Sequence, residues 1–324
     1  MKLPTLKIGN LLAKIPIIQG GMSIRISGGK LAGAVAATGA IGVIGASGLE
    51  HEELANEIKT AREIANGGII GINILYAATD FLGIVKTAIK EKIDFITSGA
   101  GFSRDLFKIG KEANVPIVPI VSSGKLAAIA EQLGAAAIVA ESKEAGGHLG
   151  TLEKTTEQLL KEVKSSVKNI PVIAAGGMAD GYDIAKMLNL GADGVQLATR
   201  FIISEECNAA LPYKMVHANT TNPNDVIIIK SPVGMPGRAI RNKLTNDMLK
   251  GIYPPIPYCD NCLKFCSKQY CIFDVLKKAQ KGDVENGLIF TGESISKIKD
   301  KVIKPVAEII RQLVKEAELA YVGT

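Results

Sequence analysis

The residue types with the clearest chemistry in this sequence are one histidine, two pairs of small residues and four clustered cysteines. His148 lies in Glu144-Ala-Gly-Gly-His-Leu-Gly150, a glycine-rich loop in which an imidazole can take up and return a proton near neutral pH. The other two histidines read differently. His51 starts a helical stretch and His217 sits in a polar one, so both are expected at the surface. Gly176-Gly177 and Ala198-Thr199 each close a run of apolar residues. Small residues there let backbone N–H groups approach a phosphate, and Thr199 adds a hydroxyl donor. Tight turns are the plainer reading. Two such ends side by side favour a phosphate, which fits a mononucleotide such as FMN.

Cys259, Cys262, Cys266 and Cys271 form C-x2-C-x3-C-x4-C. Such clustering in a reducing compartment points to metal rather than to disulfides. Four thiolates suit a [4Fe-4S] cluster or, less well, a structural zinc; free or redox-active thiols are the third reading. Cys207 stands alone and reads as a small buried residue. Asn73 and Gln196 are amides in otherwise apolar runs, and a buried amide needs partners. Asn73 closes its run and is expected to face a ligand, whereas Gln196 is mid-run and reads equally well as structural. Arg238 and Arg241 have the chemistry to meet an anionic substrate, but read first as ordinary loop arginines.

These residues sit on a repeating pattern. Short apolar runs occur at Pro16–Gln19, Ile41–Gly45, Ile69–Leu75, Phe95–Ser98, Pro116–Val121, Ala136–Ala140, Pro171–Ala175 and Gly194–Ala198. Each has the length and continuous hydrophobicity of a strand buried on both faces. Helical segments separate them; in the one that starts near Glu52, Leu54, Ala55, Ile58, Ala61 and Ile64 share a face. Asp180 is placed to cap another. Such strand–helix units, eight in a row, predict an α/β fold, a TIM (β/α)8 barrel. A doubly wound open sheet is the competitor. In a barrel the active site lies at the C-terminal ends of the strands. Those ends deliver Gly20, Gly21 and Met22, then Asn73, Glu141, Ala175 to Gly177 and Ala198-Thr199.

After Phe201 the texture changes to Pro-rich and Cys-rich sequence. Residues 1–203 and 293–324 are expected to form the barrel with a closing helix, and residues 204–292 an irregular cap over its mouth. The closing helix is expected over Ile295–Glu318, with Ile298, Val302, Ile303, Val306, Ile309, Ile310 and Leu313 on one face.

Composition agrees with an enzyme of this kind. The chain has 324 residues, of which 47% are hydrophobic, enough for a large core. The net charge is +6, but the charges are scattered rather than blocked, which argues against nucleic acid as a partner. No apolar run approaches the roughly 18 residues a membrane span needs. No secretory leader pattern is read at the N-terminus, and a cytoplasmic enzyme acting on a small molecule is expected. A homodimer is left open.

At Gln19-Gly-Gly-Met22, Asn73, Ala145-Gly-Gly-His148-Leu-Gly150, Ala174-Ala-Gly-Gly-Met-Ala-Asp-Gly181 and Gln196-Leu-Ala-Thr-Arg-Phe201 the sequence resembles the nitronate monooxygenase family. That superfamily includes flavin-dependent enoyl-acyl-carrier-protein reductases. The resemblance implies an FMN-binding barrel. It places Gly21 and Met22 at the flavin ring and Asn73 beside it, with the phosphate at Gly176, Gly177 and Thr199. His148 becomes the base that removes the α-proton of a nitroalkane. Gly20, Glu141, Gly147, Ala175, Gln196 and Ala198 complete the expected FMN-binding set. The family's lysine after strand five is replaced here by Ile120 and Val121. The Gly-Gly-His-Leu-Gly and Pro116-Ile-Val-Pro-Ile-Val-Ser motifs are nearer the reductase branch, in which NAD(P)H reduces an enoyl thioester. The cysteine cluster is not a feature of the family's well-known members. As an iron–sulfur centre near FMN it would relay single electrons.

Overall fold

A computed structural model describes residues 1–323. A small hairpin, β1 (Leu6–Ile8) and β2 (Leu11–Ala13), precedes eight parallel strands. These are β3 (Ile17–Gln19), β4 (Gly42–Gly45), β5 (Ile70–Leu75), β6 (Phe95–Gly99), β7 (Ile117–Val121), β8 (Ile138–Glu141), β10 (Val172–Ala175) and β11 (Gly194–Leu197). The two-residue β9 (Gly147–His148) lies outside the barrel sheet and pairs with β13 (Pro236–Ile240), which forms a hairpin with β12 (Val226–Lys230). The barrel strands pair in the order β3-β11-β10-β8-β7-β6-β5-β4. The ring closes between its first and last members: Gln19 N–H donates to Ile41 C=O at 2.9 Å, and Ile41 N–H donates to Ile17 C=O at 2.9 Å. The expected TIM barrel is thus the observed fold, and the open sheet is excluded by that closure.

The strands are apolar on both faces because each face has its own core. Ile18, Val43, Phe95, Val118, Val139 and Ile173 point into the barrel, where Leu6, Ile8 and Ala13 of the hairpin join them. Ile17, Ile44, Ile72, Ile96 and Val195 point outward to the helices. The alternation along each strand is that of a pleated backbone, with no polar face. Helices His51–Ala65 and Gly181–Asn189 begin where the pattern predicts. Asp180 caps the second, its carboxylate accepting from Asp183 N–H at 3.0 Å.

The closing helix is shorter than expected. It runs Val306–Ala320, preceded by a short 3-10 turn at Glu293–Lys297. Pro305 occupies its N-cap; with no N–H and a ring that crowds the preceding residue, proline starts a helix but does not continue one. Ile298 is buried, yet Val302 is 62% exposed, so the proposed single face does not extend back across Pro305. Val306, Ile309, Ile310 and Leu313 do pack on the barrel. Residues 204–292 are less irregular than predicted. They hold helices Leu211–Asn219, Lys243–Leu249 and Ile272–Gln280 besides the β12–β13 hairpin. Their core is built from Ile229, Leu244, Met248, Tyr270, Val275 and Leu288. Among the described residues no helix is long and apolar enough to cross a membrane.

Candidate active site

A cavity of about 260 Å³ opens at the C-terminal ends of the strands. Every residue expected to touch the cofactor lines it: Gly20, Gly21, Met22, Asn73, Glu141, Gly147, Ala175, Gly176, Gly177, Gln196, Ala198 and Thr199, together with His148. The barrel brings most of these together from positions far apart in the chain because they lie near strand ends, whereas Gly147 and His148 come from β9, outside the barrel sheet.

The glycines are required by close approach. A Cβ on Gly21 would lie 2.4 Å from Asn73 Cβ, and one on Gly20 would lie 3.1 Å from the Gln196 side chain. The β3 loop therefore passes directly over both amides. Asn73 is fixed by donating to Thr97 Oγ1 at 2.9 Å, and Thr97 donates in turn to Ile72 C=O at 3.1 Å. Gly176 and Gly177 have φ of 110° and 70°, a conformation open to glycine at little cost. Thr199 Oγ1 accepts from Gly292 N–H at 2.9 Å, which leaves its own proton to donate. No lysine or arginine lines the cavity among the described residues.

Two ionisable side chains in the cavity are pushed in opposite directions. Burial raises the Glu141 carboxyl to about 7 and lowers His148 to about 4. Desolvation disfavours whichever form is charged, so around pH 6 both are neutral. The His148 backbone lies opposite Gly237 of β13. Its ring meets Phe290 edge-on at 5.1 Å and 72°, and Nε2 is 2.8 Å from Ser231 Oγ.

Several residues of the cavity have no counterpart in the strand-end expectation. Phe290, Thr291 and Gly292 arrive from the chain just before the 3-10 turn, Ser294 from the turn itself, and Tyr213 from helix Leu211–Asn219. Glu144 also lines the cavity, and its carboxylate accepts from Thr156 N–H at 2.8 Å and Oγ1 at 2.6 Å. Arg238 is not a free cation. It donates to the carbonyls of Lys143 and Ala145 and pairs with Glu293 at 3.2 Å, bracing the loop that leads to His148. Arg241 is held by Asn246 at 3.0 Å on the surface. His51 is exposed, as expected. His217 is not: it is fully buried, with Nδ1 3.0 Å from Tyr213 C=O and Nε2 3.1 Å from Phe290 C=O. The polar sequence around it misleads, because the helix turns Tyr213 and His217, one turn apart, inward together.

The four clustered cysteines lie outside the cavity, but their segment forms part of its wall. Leu263, Ile272, Phe273 and Leu276 line it. The segment is tied to the loop after β5. Thr79 N–H donates to Cys262 C=O at 3.1 Å, and Lys264 N–H donates to Ala77 C=O at 2.8 Å. The Lys264 ammonium sits 4.2 Å from the centre of the Tyr76 ring. Cys259 and Cys266 are exposed, and Cys262 and Cys271 half-buried. Among the described residues no three Cys, His, Asp or Glu side chains are arranged to hold a metal ion, so the thiols as placed do not form the expected ligand set. Cys207 is buried, as expected.

The sequence matches the family model for nitronate monooxygenase over residues 5–94 and 77–316. The chain belongs to the nitronate monooxygenase family. This is a family of flavin-dependent oxidoreductases. A FabK from Thermotoga maritima superposes with a TM-score of 0.83 at 32% identity, covering 95% of this chain and 94% of that one. A probable nitronate monooxygenase of Staphylococcus aureus is 28% identical over 76% of this chain and 81% of its own length. An octahydro-indene-carboxyl-CoA dehydrogenase of Rhodococcus jostii is 29% identical over 72% of this chain, and the match spans 64% of that protein's length.

Proposed function

We propose that this protein is an FMN-dependent oxidoreductase that oxidises nitronates and nitroalkanes with dioxygen. The observation that carries the reading is a neutral histidine lining a cavity at the strand ends, with one ring nitrogen turned away to Ser231. The residues present suit FMN. Backbone N–H groups at Gly176 and Gly177 and the Thr199 hydroxyl would hold its phosphate with neutral donors. Gly20, Gly21, Met22, Asn73 and Gln196 would border its ring system. Glu144 lies nearby, but its carboxylate is engaged by Thr156. When bound, FMN supplies a two-electron acceptor that dioxygen can reoxidise.

The chain's own part is the proton. His148 Nδ1 takes the α-proton of a neutral nitroalkane as the C–H bond breaks, and the electron pair passes onto the nitro group to give the nitronate. Burial makes His148 a weak base, but the imidazolium forms beside a new anion. That ion pairing offsets the desolvation that holds it down.

A second reading has its own support. The FabK likeness covers nearly the whole chain, and the Rhodococcus relative is named for a CoA thioester. On this reading NAD(P)H reduces the activated C=C bond of an enoyl thioester. Glu141, whose carboxyl burial raises to about 7 so that a substantial fraction is protonated near neutral pH, would be the donor it needs. A [4Fe-4S] cluster at Cys259, Cys262, Cys266 and Cys271 is supported by their spacing alone, and iron and sulfide analysis of anaerobically purified protein tests it.

One pair of assays separates the two activities. Oxygen uptake on ethylnitronate, with flavin that NADH bleaches slowly, upholds the first. Rapid anaerobic bleaching by NADH or NADPH, reversed by an enoyl thioester and without nitronate turnover, replaces it with the second.

A further inference from the structure

We propose that Tyr213 is a substrate-binding residue of this cavity: its phenol donates a hydrogen bond to the nitro oxygen on which negative charge collects when His148 takes the α-proton. The inference rests on the nitroalkane reading above.

Tyr213 enters the cavity from the cap, on helix Leu211–Asn219. Its neighbours hold that helix in place. Pro212 stands in the first turn. Lys214 is buried, and its ammonium donates to the carbonyls of Ser204 and Glu205 at 2.7 and 3.2 Å. One turn on, His217 Nε2 lies 3.1 Å from Phe290 C=O, and the His217 and Tyr213 rings pack with their centres 4.8 Å apart. The phenol is thus carried on a fixed ring.

The hydroxyl itself is unused. Tyr213 is 4% exposed, and among the described residues its oxygen has no hydrogen-bond partner. Buried polar groups ordinarily have one. The oxygen is not sealed in either. Among the described residues, the only wholly enclosed side-chain nitrogen or oxygen atoms without a partner are two nitrogens of Arg200. The open surface left to the phenol is that of the cavity it lines. Burial holds its pKa well above the ordinary value, so it stays a neutral donor across the physiological range.

Its place in the cavity decides what it meets. The expected contacts of FMN come mainly from the strand ends, which form the floor. Tyr213 comes from the cap on the facing side, where Val233, Leu263, Ile272, Phe273, Leu276 and Phe290 are all apolar. The Thr291 hydroxyl is turned to Gly292 C=O at 3.5 Å. A substrate lying between floor and cap therefore meets one free donor on the cap side. Loss of the α-proton moves an electron pair onto the nitro oxygens. A preorganised donor aimed there counts for more in the transition state than in the neutral substrate.

Tyr213→Phe removes only the hydroxyl and tests the assignment. Propionate is the probe, because its planar anionic carboxylate matches a nitronate group; it is titrated into FMN-loaded protein and followed by flavin absorbance. The variant's dissociation constant should rise at least about tenfold, the loss expected for a hydrogen bond to a charged group. With nitroethane, kcat should fall by at least about the same factor. With ethylnitronate, charged from the start, the loss should appear in KM. Affinity for FMN should not change. Equal propionate affinity in wild type and variant, or no propionate binding to either, overturns the proposal. So does a variant that loses affinity for FMN alone, since the phenol would then serve the cofactor. Propionate binding needs no turnover. A wild type inert to both nitroethane and ethylnitronate would therefore sink the activity reading, while the titration still decides whether Tyr213 holds an anionic oxygen.

Discussion

Glu141 and His148 share one cavity, and each is kept neutral by the same loss of solvent. The stability consequences have opposite signs. Between 6.5 and about 4 the unfolded chain holds more protons at His148 than the folded one, so this residue makes stability rise with pH there. Between 4.5 and about 7 the folded chain holds more protons at Glu141, so this residue makes stability fall as pH rises. Glu141→Gln should abolish the second dependence. Urea midpoints of the FMN-free protein should fall from pH 4.5 to 7 in the wild type relative to the variant; parallel curves would show that Glu141 is not buried as a neutral acid. At this scale the sequence is readable where a rule ties position to place. Gly176, Gly177 and Thr199 are found because strand ends face the mouth. Ser231, Phe290 and Tyr213 are not found, because they come from elements that no barrel rule positions. Ser231 in Ser-Pro-Val-Gly reads only as a turn residue, and Phe290 stands out by nothing but hydrophobicity.

The closing helix shows what element patterns reveal and what they hide. Its apolar face is plain from Val306 to Leu313, but the periodicity continues by chance across Pro305, whose effect on the helix overrides it. Contact between this helix and the barrel depends on a residue the pattern does not mark. A Cβ on Gly181 would lie 2.2 Å from the Leu313 carbonyl oxygen, and Gly181 N–H donates to Glu316 at 2.9 Å. Gly181→Ala should therefore force the helix outward and cost about 1–3 kcal/mol, as overpacking typically does. Chemical denaturation checks this, and an unchanged midpoint would mean that the two helices separate freely. Strands, by contrast, were legible almost to the residue, since a segment buried on both faces must be apolar throughout and must end where polarity or glycine resumes.

On the scale of the whole molecule, a basic chain builds a cavity without basic side chains. The net charge is +6, yet lysine and arginine are absent from the cavity lining among the described residues. A phosphate held there by backbone N–H groups and one hydroxyl gains little from screened charge. The dissociation constant of FMN should thus change by less than about threefold between low and molar salt, a range over which the Debye length shrinks from roughly 30 to 3 Å. A steep loss of affinity would indicate that a cationic side chain reaches the phosphate. The cavity is also a joint product of barrel and cap: strand ends supply its floor, while Val233, Leu263 and Phe273 supply its far wall. Sequence periodicity located the barrel, but the cap's helices are short and its contacts long-range, so its fold was hidden.

Oxygen uptake by FMN-loaded His148→Ala shows directly whether His148 removes a proton in this cavity. With neutral nitroethane the variant should lose at least about a hundredfold in rate, the contribution of a positioned base. With ethylnitronate, which has already lost its proton, it should stay close to the wild type. Equal loss on both substrates would contradict the account.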